Sequence, residues 1–506
     1  MVKHSQLSLV QARTKTYIQG PHRFLIDGRI VEPSGDAAYH ISDPSTGERL
    51  SEFASATEAE TDAAIDAARH SFDHGVWRDE RPAQRAQVLW RVAELIEENR
   101  QLLGELEALE GGKLIGAALN GEVWAAAEAF RYHAGWCTKI EGKTFRPSIP
   151  GLDLEGTTRL EAIGVAGLIT PWNGSLVMSA WKLAPALAAG CSVVLKPSEN
   201  TVLSALRLGE LLTEAGVPDG VVNIVLGDGR SVGTQICEDA RVDKVSFTGS
   251  TSTGRALIDA AKGNLKKLSL ELGGKSPVLI FEDADIEVSI DGAAEGIFSN
   301  AGQVCVAGSR ILVHRSKFDE VVEGVAARAN ALSMGPTMDG ASTLGPLISE
   351  MHRNSVTDYV DRARSEGIEV VTGGKVGDGD GFFYQPTVII DRKRTSCVWS
   401  DEIFGPVATV TPFDTEAEAL ALASDTQYGL AASVWSENTS RVQRATRALR
   451  AGIVWVNCHG IPDMSMPIGG YKQSGWGREH GWNGVEAFLE HKSIMQRVMP
   501  DSITGN

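Results

Sequence analysis

From Ile163 onward, short runs of β-branched and apolar residues alternate with helix-length segments, and this alternation constrains the fold more than any other feature of the chain. The series runs Ile163 to Thr170, a helix near Leu176 to Ala189, Ser192 to Lys196, and a helix over Val202 to Ala215. It continues with Val221 to Leu226, a short helix near Val232, Val242 to Phe247, a helix near Thr253 to Gly263, and Leu265 to Leu270. Strand and helix units of this length predict a parallel, doubly wound sheet, because parallel strands need crossovers of helix length. After Gly274 a second series begins with Pro277 to Phe281 and a helix near Asp285 to Ser299. Ile311 to His314, Pro406 to Thr411 and Ile453 to Asn457 follow, with turn-rich stretches at Val376 to Gly381 and Gly469 to Gly477. This predicts a second α/β domain.

A chain of 506 residues is too long for one core, so two or three domains are expected. Ahead of the first series, Val88, Val92, Leu95, Ile96, Leu102, Leu103, Leu106 and Leu109 share one helical face, with Asn99 its one polar interruption and Pro82 in the first turn. Such a stripe is core packing and receives no functional role. The formal charge is -17, from 48 basic and 65 acidic residues, without a long basic run, which speaks against a nucleic-acid partner. Apolar stretches such as Leu183 to Val194 are interrupted by Pro185, Gly190 and Ser192 and fall short of the roughly 20 residues a bilayer needs, so no membrane span is expected. Six cysteines (Cys137, Cys191, Cys237, Cys305, Cys397, Cys458) show no CxxC spacing and read as mostly inert thiols of a reducing compartment. Residues 1–26 lack acids and carry Lys3, Arg13, Lys15 and Arg23, which resembles an organelle transit peptide. A flexible N-terminal extension of a cytoplasmic protein is the reading favoured here, with an organelle matrix left open.

The segment with most chemical content is Phe298-Ser-Asn-Ala-Gly-Gln-Val-Cys-Val-Ala-Gly-Ser-Arg310, a small, polar turn around one cysteine just past a predicted helix. Alone, such a cysteine is more often an inert buried thiol than a nucleophile. Its company changes the weighting. In Leu270-Glu-Leu-Gly-Gly-Lys-Ser-Pro277 an acid ends a predicted buried strand, and two glycines then let backbone or ligand approach closely. Pro171-Trp-Asn-Gly174 similarly ends the first strand of the doubly wound series, and strand ends on one edge of such a sheet are where ligands bind.

Together with Lys196-Pro-Ser-Glu199, Phe247-Thr-Gly-Ser250, Glu402-Ile-Phe-Gly-Pro406 and Gly469-Gly-Tyr-Lys-Gln-Ser-Gly475, these segments resemble the aldehyde dehydrogenase superfamily from about Phe24 to Val498. The resemblance implies a Rossmann-like NAD-binding domain (1–138 and 162–273), an α/β catalytic domain (274–475), both doubly wound parallel sheets, and a small β-hairpin oligomerisation domain (139–161 and 476–506). It implies Cys305 as nucleophile, Glu271 as general base, and Asn173 with the backbone amide of Cys305 as oxyanion donors. The chemistry needs these types. An aldehyde carbon does not readily expel hydride until a thiolate adds to it, and the thioester left behind is hydrolysed slowly unless a base takes a proton from water. Acylating relatives that pass the thioester to coenzyme A generally lack a carboxylate at the position of Glu271, so hydrolysis to the acid is implied.

For the cofactor, the resemblance implies NAD. Gly249, Ser250 and Gly254 open a helix that can receive the pyrophosphate, Lys196, Ser198 and Glu199 take the adenosine ribose, and Thr170, Trp172, Leu272 and Gly273 line the cleft. Glu402 and Phe404 match residues at the nicotinamide ribose and ring. A carboxylate at Glu199 accepts from a 2'-hydroxyl and repels a 2'-phosphate, although some relatives with glutamate use both cofactors. Around the substrate the resemblance sets Trp181, Val304, Val306, Pro462 and Ile468. Gly174 stands where an aromatic is common and opens the wall, which implies a roomy apolar tunnel for an uncharged aliphatic or aromatic aldehyde. No metal is expected. A homo-oligomer, dimer or tetramer, is implied by a hairpin from about Lys139 to Glu161 completed near His491 to Val498. The competing readings are an NADP-preferring semialdehyde dehydrogenase of the same fold and a non-catalytic structural relative.

Overall fold

A computed structural model describes residues 6–35 and 38–498. Its largest sheet has eight strands. In spatial order they are Gly475–Trp476, Lys267–Glu271, Lys244–Thr248, Val165–Ile169, Ser192–Lys196, Val222–Ile224, Phe24–Ile26 and Arg29–Val31. The five from Lys267–Glu271 to Val222–Ile224 are parallel, and the flanking strands are antiparallel. Strands Val165–Ile169, Ser192–Lys196 and Lys244–Thr248 are buried along their whole length, since helices cover both faces. The strand order reverses beside Val165–Ile169, because the chain runs outward through Ser192–Lys196 and Val222–Ile224 and returns with Lys244–Thr248 on the other flank. At such a switch point the carboxyl ends of the strands leave a crevice.

The second sheet has seven strands in the order Glu369–Thr372, Thr387–Ile390, Val407–Phe413, Arg310–His314, Pro277–Ile280, Ala431–Trp435 and Ile453–Val456, all parallel except the first. The expected hairpin is a three-stranded antiparallel sheet. Leu489–Arg497 pairs residue by residue with Leu154–Ala162, and Thr144–Phe145 takes the other edge. Part of the turn-rich stretch near Gly475 leaves the second α/β unit altogether and adds an edge strand to the first sheet.

Two expectations are corrected. The stripe from Val88 to Leu109 is two helices, Pro82–Glu98 and Arg100–Gly111, joined at Asn99 (φ −101, ψ 16). The Asn99 side chain makes the joint: Nδ2 donates to the Leu95 carbonyl (2.8 Å), while Oδ1 accepts from both Arg13 (2.8 Å) and Arg207 (3.0 Å). The N-terminal extension is not a loose tail from Gln6 onward. Gln6 is buried and donates to Asp43, and helix Ala12–Gln19 seats Ile18 in the core. Residues 1–5 and 499–506 of the expected extension and C-terminal segment lie outside the described residues. Among the described residues, no helix is long and apolar enough to cross a membrane.

Asn99→Ala should therefore lower stability by about 2 kcal/mol, because two guanidiniums lose a shared buried acceptor. Denaturant unfolding of the variant checks this, and an unchanged midpoint would contradict the role of the joint.

Candidate active site

Cys305 lies in the loop between helix Ile286–Phe298 and strand Arg310–His314. Asn300, Ala301 and Gly302 take three consecutive left-handed conformations (φ 48, 52 and 73), which turn the chain sharply before the cysteine. A Cβ at Gly302 would stand 2.1 Å from the Gly405 carbonyl oxygen, so only glycine fits. Gln303 then clamps the loop. Its buried side chain donates to the carbonyls of Asn300 (3.1 Å) and Pro346 (3.4 Å) and accepts from the Ile348 amide (2.8 Å).

The loop meets the first sheet at two places. Asn173, just past strand Val165–Ile169, donates its side-chain amide to the Gln303 carbonyl at 3.0 Å, two residues before Cys305. The Cys305 carbonyl lies 2.6 Å from where a Cβ of Gly274 would stand, so the Gly-Gly pair is what lets the cysteine loop approach the strand that ends in Glu271. Gly273 serves Glu402, whose carboxylate occupies the space of the missing side chain and accepts from the Gly274 amide (3.0 Å).

Glu271 is buried, and its Oε1 has no hydrogen-bond partner among the described residues. Burial, then the nearby Glu479, raises its carboxyl well above the ordinary range, against the pull of Lys182 and Arg478. Glu479 itself is ion-paired with the buried Lys182, which also donates to Ser246 (3.1 Å). Burial followed by the charges of Glu402 and Glu271 pushes the Cys305 thiol up to about 12, although part of its surface stays open. Burial likewise raises Glu402 to about 7, opposed by the Gly274 amide and Lys275.

On the other side of the crevice, Ser250 caps helix Thr251–Ala260 by accepting from the Thr253 amide (3.1 Å), and Gly249 donates to the Glu271 carbonyl (3.1 Å). Gly254 gives room to Leu272, whose side chain would meet a Cβ at 2.8 Å. Lys196 is buried, donates to the Pro197 carbonyl (2.9 Å) and stands 3.7 Å from the half-exposed Glu199, with Ser198 buried between them. A cavity of about 1230 Å³ opens between Glu199 and the Ser252–Thr253 turn. The hydroxyls of Thr170 and Thr248, at the ends of neighbouring strands, are buried without partners among the described residues. Phe404 is left-handed (φ 57), and its ring meets Trp172 edge-on at 5.4 Å.

Of the residues assigned to the substrate, Val304, Val306 and Ile468 pack around Cys305 together with Cys458 and Trp455. Trp181 lies perpendicular to His480 at 4.2 Å. Pro462 is exposed on a loop. The space beside Gly174 is largely taken, since a Cβ there would meet Val177 at 3.0 Å, Met178 at 3.3 Å and Glu122 Oε2 at 3.7 Å. A separate cavity of about 510 Å³ lies behind the left-handed turn, between Phe298, Ser299 and Asn300 on one side and Lys113 and Glu122 on the other; Cys305 does not line it.

The sequence reading missed Gln303, His352, Lys182 and Glu479. His352 donates from Nε2 to the Phe404 carbonyl at 2.7 Å, and nothing local in the sequence marks that contact. Gln303 sat inside a segment already singled out, but its partners at Pro346 and Ile348 are more than forty residues away.

With this geometry in place, the comparisons are decisive. Residues 30–494 match the model of the aldehyde dehydrogenase family. The chain belongs to the aldehyde dehydrogenase family. Similar members include phenylacetaldehyde dehydrogenase of Pseudomonas fluorescens, 39% identical over 94% of this chain and 96% of that one. Betaine aldehyde dehydrogenase of Bacillus subtilis is 40% identical over 94% of this chain and 98% of its own. An aldehyde dehydrogenase from Bacillus cereus, solved as its NAD+ complex, superposes with a TM-score of 0.95 at 41% identity, covering 97% of this chain and 99% of that one. As a member of the family, the chain is an aldehyde oxidoreductase.

The raised Cys305 thiol gives a pH test. Alkylation requires the thiolate, so in the ligand-free protein the rate of iodoacetamide labelling at Cys305 should climb about tenfold per pH unit from about pH 7 to 10. Peptide mapping reads the site, and a plateau near pH 8 would contradict the assigned environment.

Proposed function

We propose that the chain oxidises an aldehyde to the carboxylic acid with NAD and water, through a thioester on Cys305. The observation that carries this reading is the meeting of Cys305, Glu271 and the Asn173 amide where the cysteine loop seats on the first sheet. The residues present fit the cofactor. The capped N-terminus of helix Thr251–Ala260 suits a pyrophosphate, Lys196 and Glu199 suit a ribose diol, and the hydroxyls of Thr170 and Thr248, buried without partners among the described residues, stand at the ends of neighbouring strands. Glu402 and Phe404 are assigned to the nicotinamide ribose and ring. When bound, NAD accepts the hydride expelled from the carbon held on Cys305.

The chain's own residues handle the proton. Two buried anions side by side are unfavourable, so Cys305 and Glu271 each resist ionising while the other is charged. Cys305 gives its proton toward Glu271 as sulfur adds to the aldehyde carbon. Asn173 has one N–H on Gln303 and a second for the resulting oxyanion, beside the Cys305 amide. Once sulfur is acylated its charge is gone, so Glu271 gives the proton it took from Cys305 up to solvent and, ionised again, takes one from the attacking water. Collapse of that adduct breaks the carbon–sulfur bond, which releases the acid and returns Cys305 as the free thiolate.

The apolar surroundings of Cys305, with Val304, Val306 and Ile468, support an uncharged aliphatic or aromatic aldehyde. The intact Cys305, Glu271 and Asn173 count against a non-catalytic role. In this reading residues 1–138 and 162–273 carry the cofactor, 274–475 the nucleophile, and 139–161 with 476–506 serve assembly into a dimer or tetramer. Exposed Phe145, Leu152 and Met495 on or near the small sheet support that last assignment. Six free cysteines suit a reducing, cytoplasmic setting.

NADH formation across aldehydes of varied length, charge and aromaticity tests the activity, and no turnover with any of them would overturn it. Cys305→Ala should abolish turnover while NAD still binds. Glu271→Gln should slow turnover by about 10² or more and leave an acylated enzyme visible by intact mass; wild-type turnover in this variant would remove the assigned base. Asn173→Ala should lower kcat by about 10²–10³, and retention of wild-type kcat would rule out its role as oxyanion donor.

A further inference from the structure

Away from the catalytic crevice, a cavity of about 550 Å³ lies between helix Ala12–Gln19, the outer strands Phe24–Ile26 and Arg29–Val31 of the first sheet, and helices Arg100–Gly111 and Leu203–Glu214. That volume is in the range of small-molecule sites, and none of the residues assigned to the reaction or the cofactor lines it. Its apolar wall is Tyr17, Pro21, Leu25, Ile30, Leu102 and Leu206. Leu25, Leu102 and Leu206 are buried parts of the core, whereas Ile30 is half-exposed.

The polar groups on the wall are Arg13, Thr16, His22, Arg23, Arg207 and Glu210. Most of them are spoken for. Thr16 bonds within its own helix, and His22 stands within reach of the Ile18 carbonyl (3.2 Å) and the Ser51 hydroxyl (2.7 Å), with burial favouring its neutral form. Arg23 is ion-paired with Glu32, which does not line the cavity. Arg207 is ion-paired with Glu210, which also accepts from the Tyr17 hydroxyl (3.3 Å), and lies 3.9 Å from Glu214. Glu105, which meets the same N-terminal helix, is engaged by the Gln11 amide and by the Thr14 and Gln101 side chains.

Arg13 is the exception: among the described residues it has no carboxylate partner, and its guanidinium donates to the neutral Asn99 Oδ1 at 2.8 Å. Arg207 donates to the same oxygen at 3.0 Å, so the two nitrogens are no more than about 6 Å apart with no negative charge between them. Nε of Arg207 is buried without a partner among the described residues. In a chain of net charge -17, positive charge therefore converges on one apolar cavity.

We infer that this cavity binds an apolar monocarboxylate, whose anionic group meets Arg13 beside Arg207 and whose body lies on Leu25, Leu102 and Leu206. The planar fork of a guanidinium matches a carboxylate, and one uncompensated cation matches one negative charge. A more highly charged group would meet Glu210 with no second free cation to offset it. The acid that the proposed reaction releases belongs to this ligand class; the binding itself does not depend on that reading.

The test uses 4-bromobenzoate and the full-length protein without cofactor. In soaked crystals the anomalous signal of bromine should lie in this cavity. In calorimetric titration 4-bromobenzoate should bind at least about tenfold more tightly than neutral 4-bromobenzamide or inorganic phosphate. Arg13→Gln should weaken that binding by about tenfold. Ile30→Glu, which leaves the Arg13–Asn99 bond in place and sets a negative charge on the wall, should weaken it by a similar factor. Both positions are remote from Cys305, so the binding event lost in these variants is the one in this cavity, and a cooperative thermal transition shows that each is folded. No bromine in the cavity, equal affinity for the amide or for phosphate, or affinities within about twofold of wild type in both variants would overturn the inference.

Discussion

The 3.0 Å contact between the Asn173 amide and the Gln303 carbonyl is the point on which the rest of the site depends, because it joins a residue of one sheet to the cysteine loop of the other. Each α/β unit has its own core, so nothing in either core alone fixes where the sulfur stands relative to the first sheet. The left-handed turn at Asn300–Gly302 and the Gln303 clamp make the loop rigid on its own side. The glycines at 273 and 274 bring the two surfaces to backbone distance. Together they set how the carboxyl, the thiol and the amide stand relative to one another.

The same closeness explains the electrostatics. Glu271, Glu402 and Cys305 share one buried volume, and each raises the proton affinity of the thiol or is raised by burial itself. A site of this kind stores a proton and hands it on, because any one group ionises only at the expense of another. Lys182 is the counterweight, held against Glu479 inside the protein, where its charge is little screened.

How much of this was legible in the sequence follows from range. Strand Val165–Ile169 is buried on both faces and reads as an unbroken apolar run, and the helix-length segments that alternate with such runs let the doubly wound architecture be predicted. Glu271, Cys305 and Asn173 stand in short segments whose residue types carry meaning, and the structure brings those segments together. What stayed hidden depends on partners distant in sequence. The joint at Asn99 needs Arg13 and Arg207, and the docking of the N-terminal segment needs Gln6 to find Asp43 and Thr337.

The small antiparallel sheet carries a consequence for how the chain reaches this form. Leu489–Arg497 is made more than three hundred residues after Leu154–Ala162, the strand it completes along nine pairs. Throughout synthesis of both α/β units, that earlier strand presents an open edge on one side, a template for pairing with any other extended chain. Closure of the sheet is a long-range event and a late one, so the folding units upstream must form while this edge waits. Substitutions in the final strand therefore act first on the yield of folded protein during biosynthesis, at a distance from the chemistry and before any substrate is met.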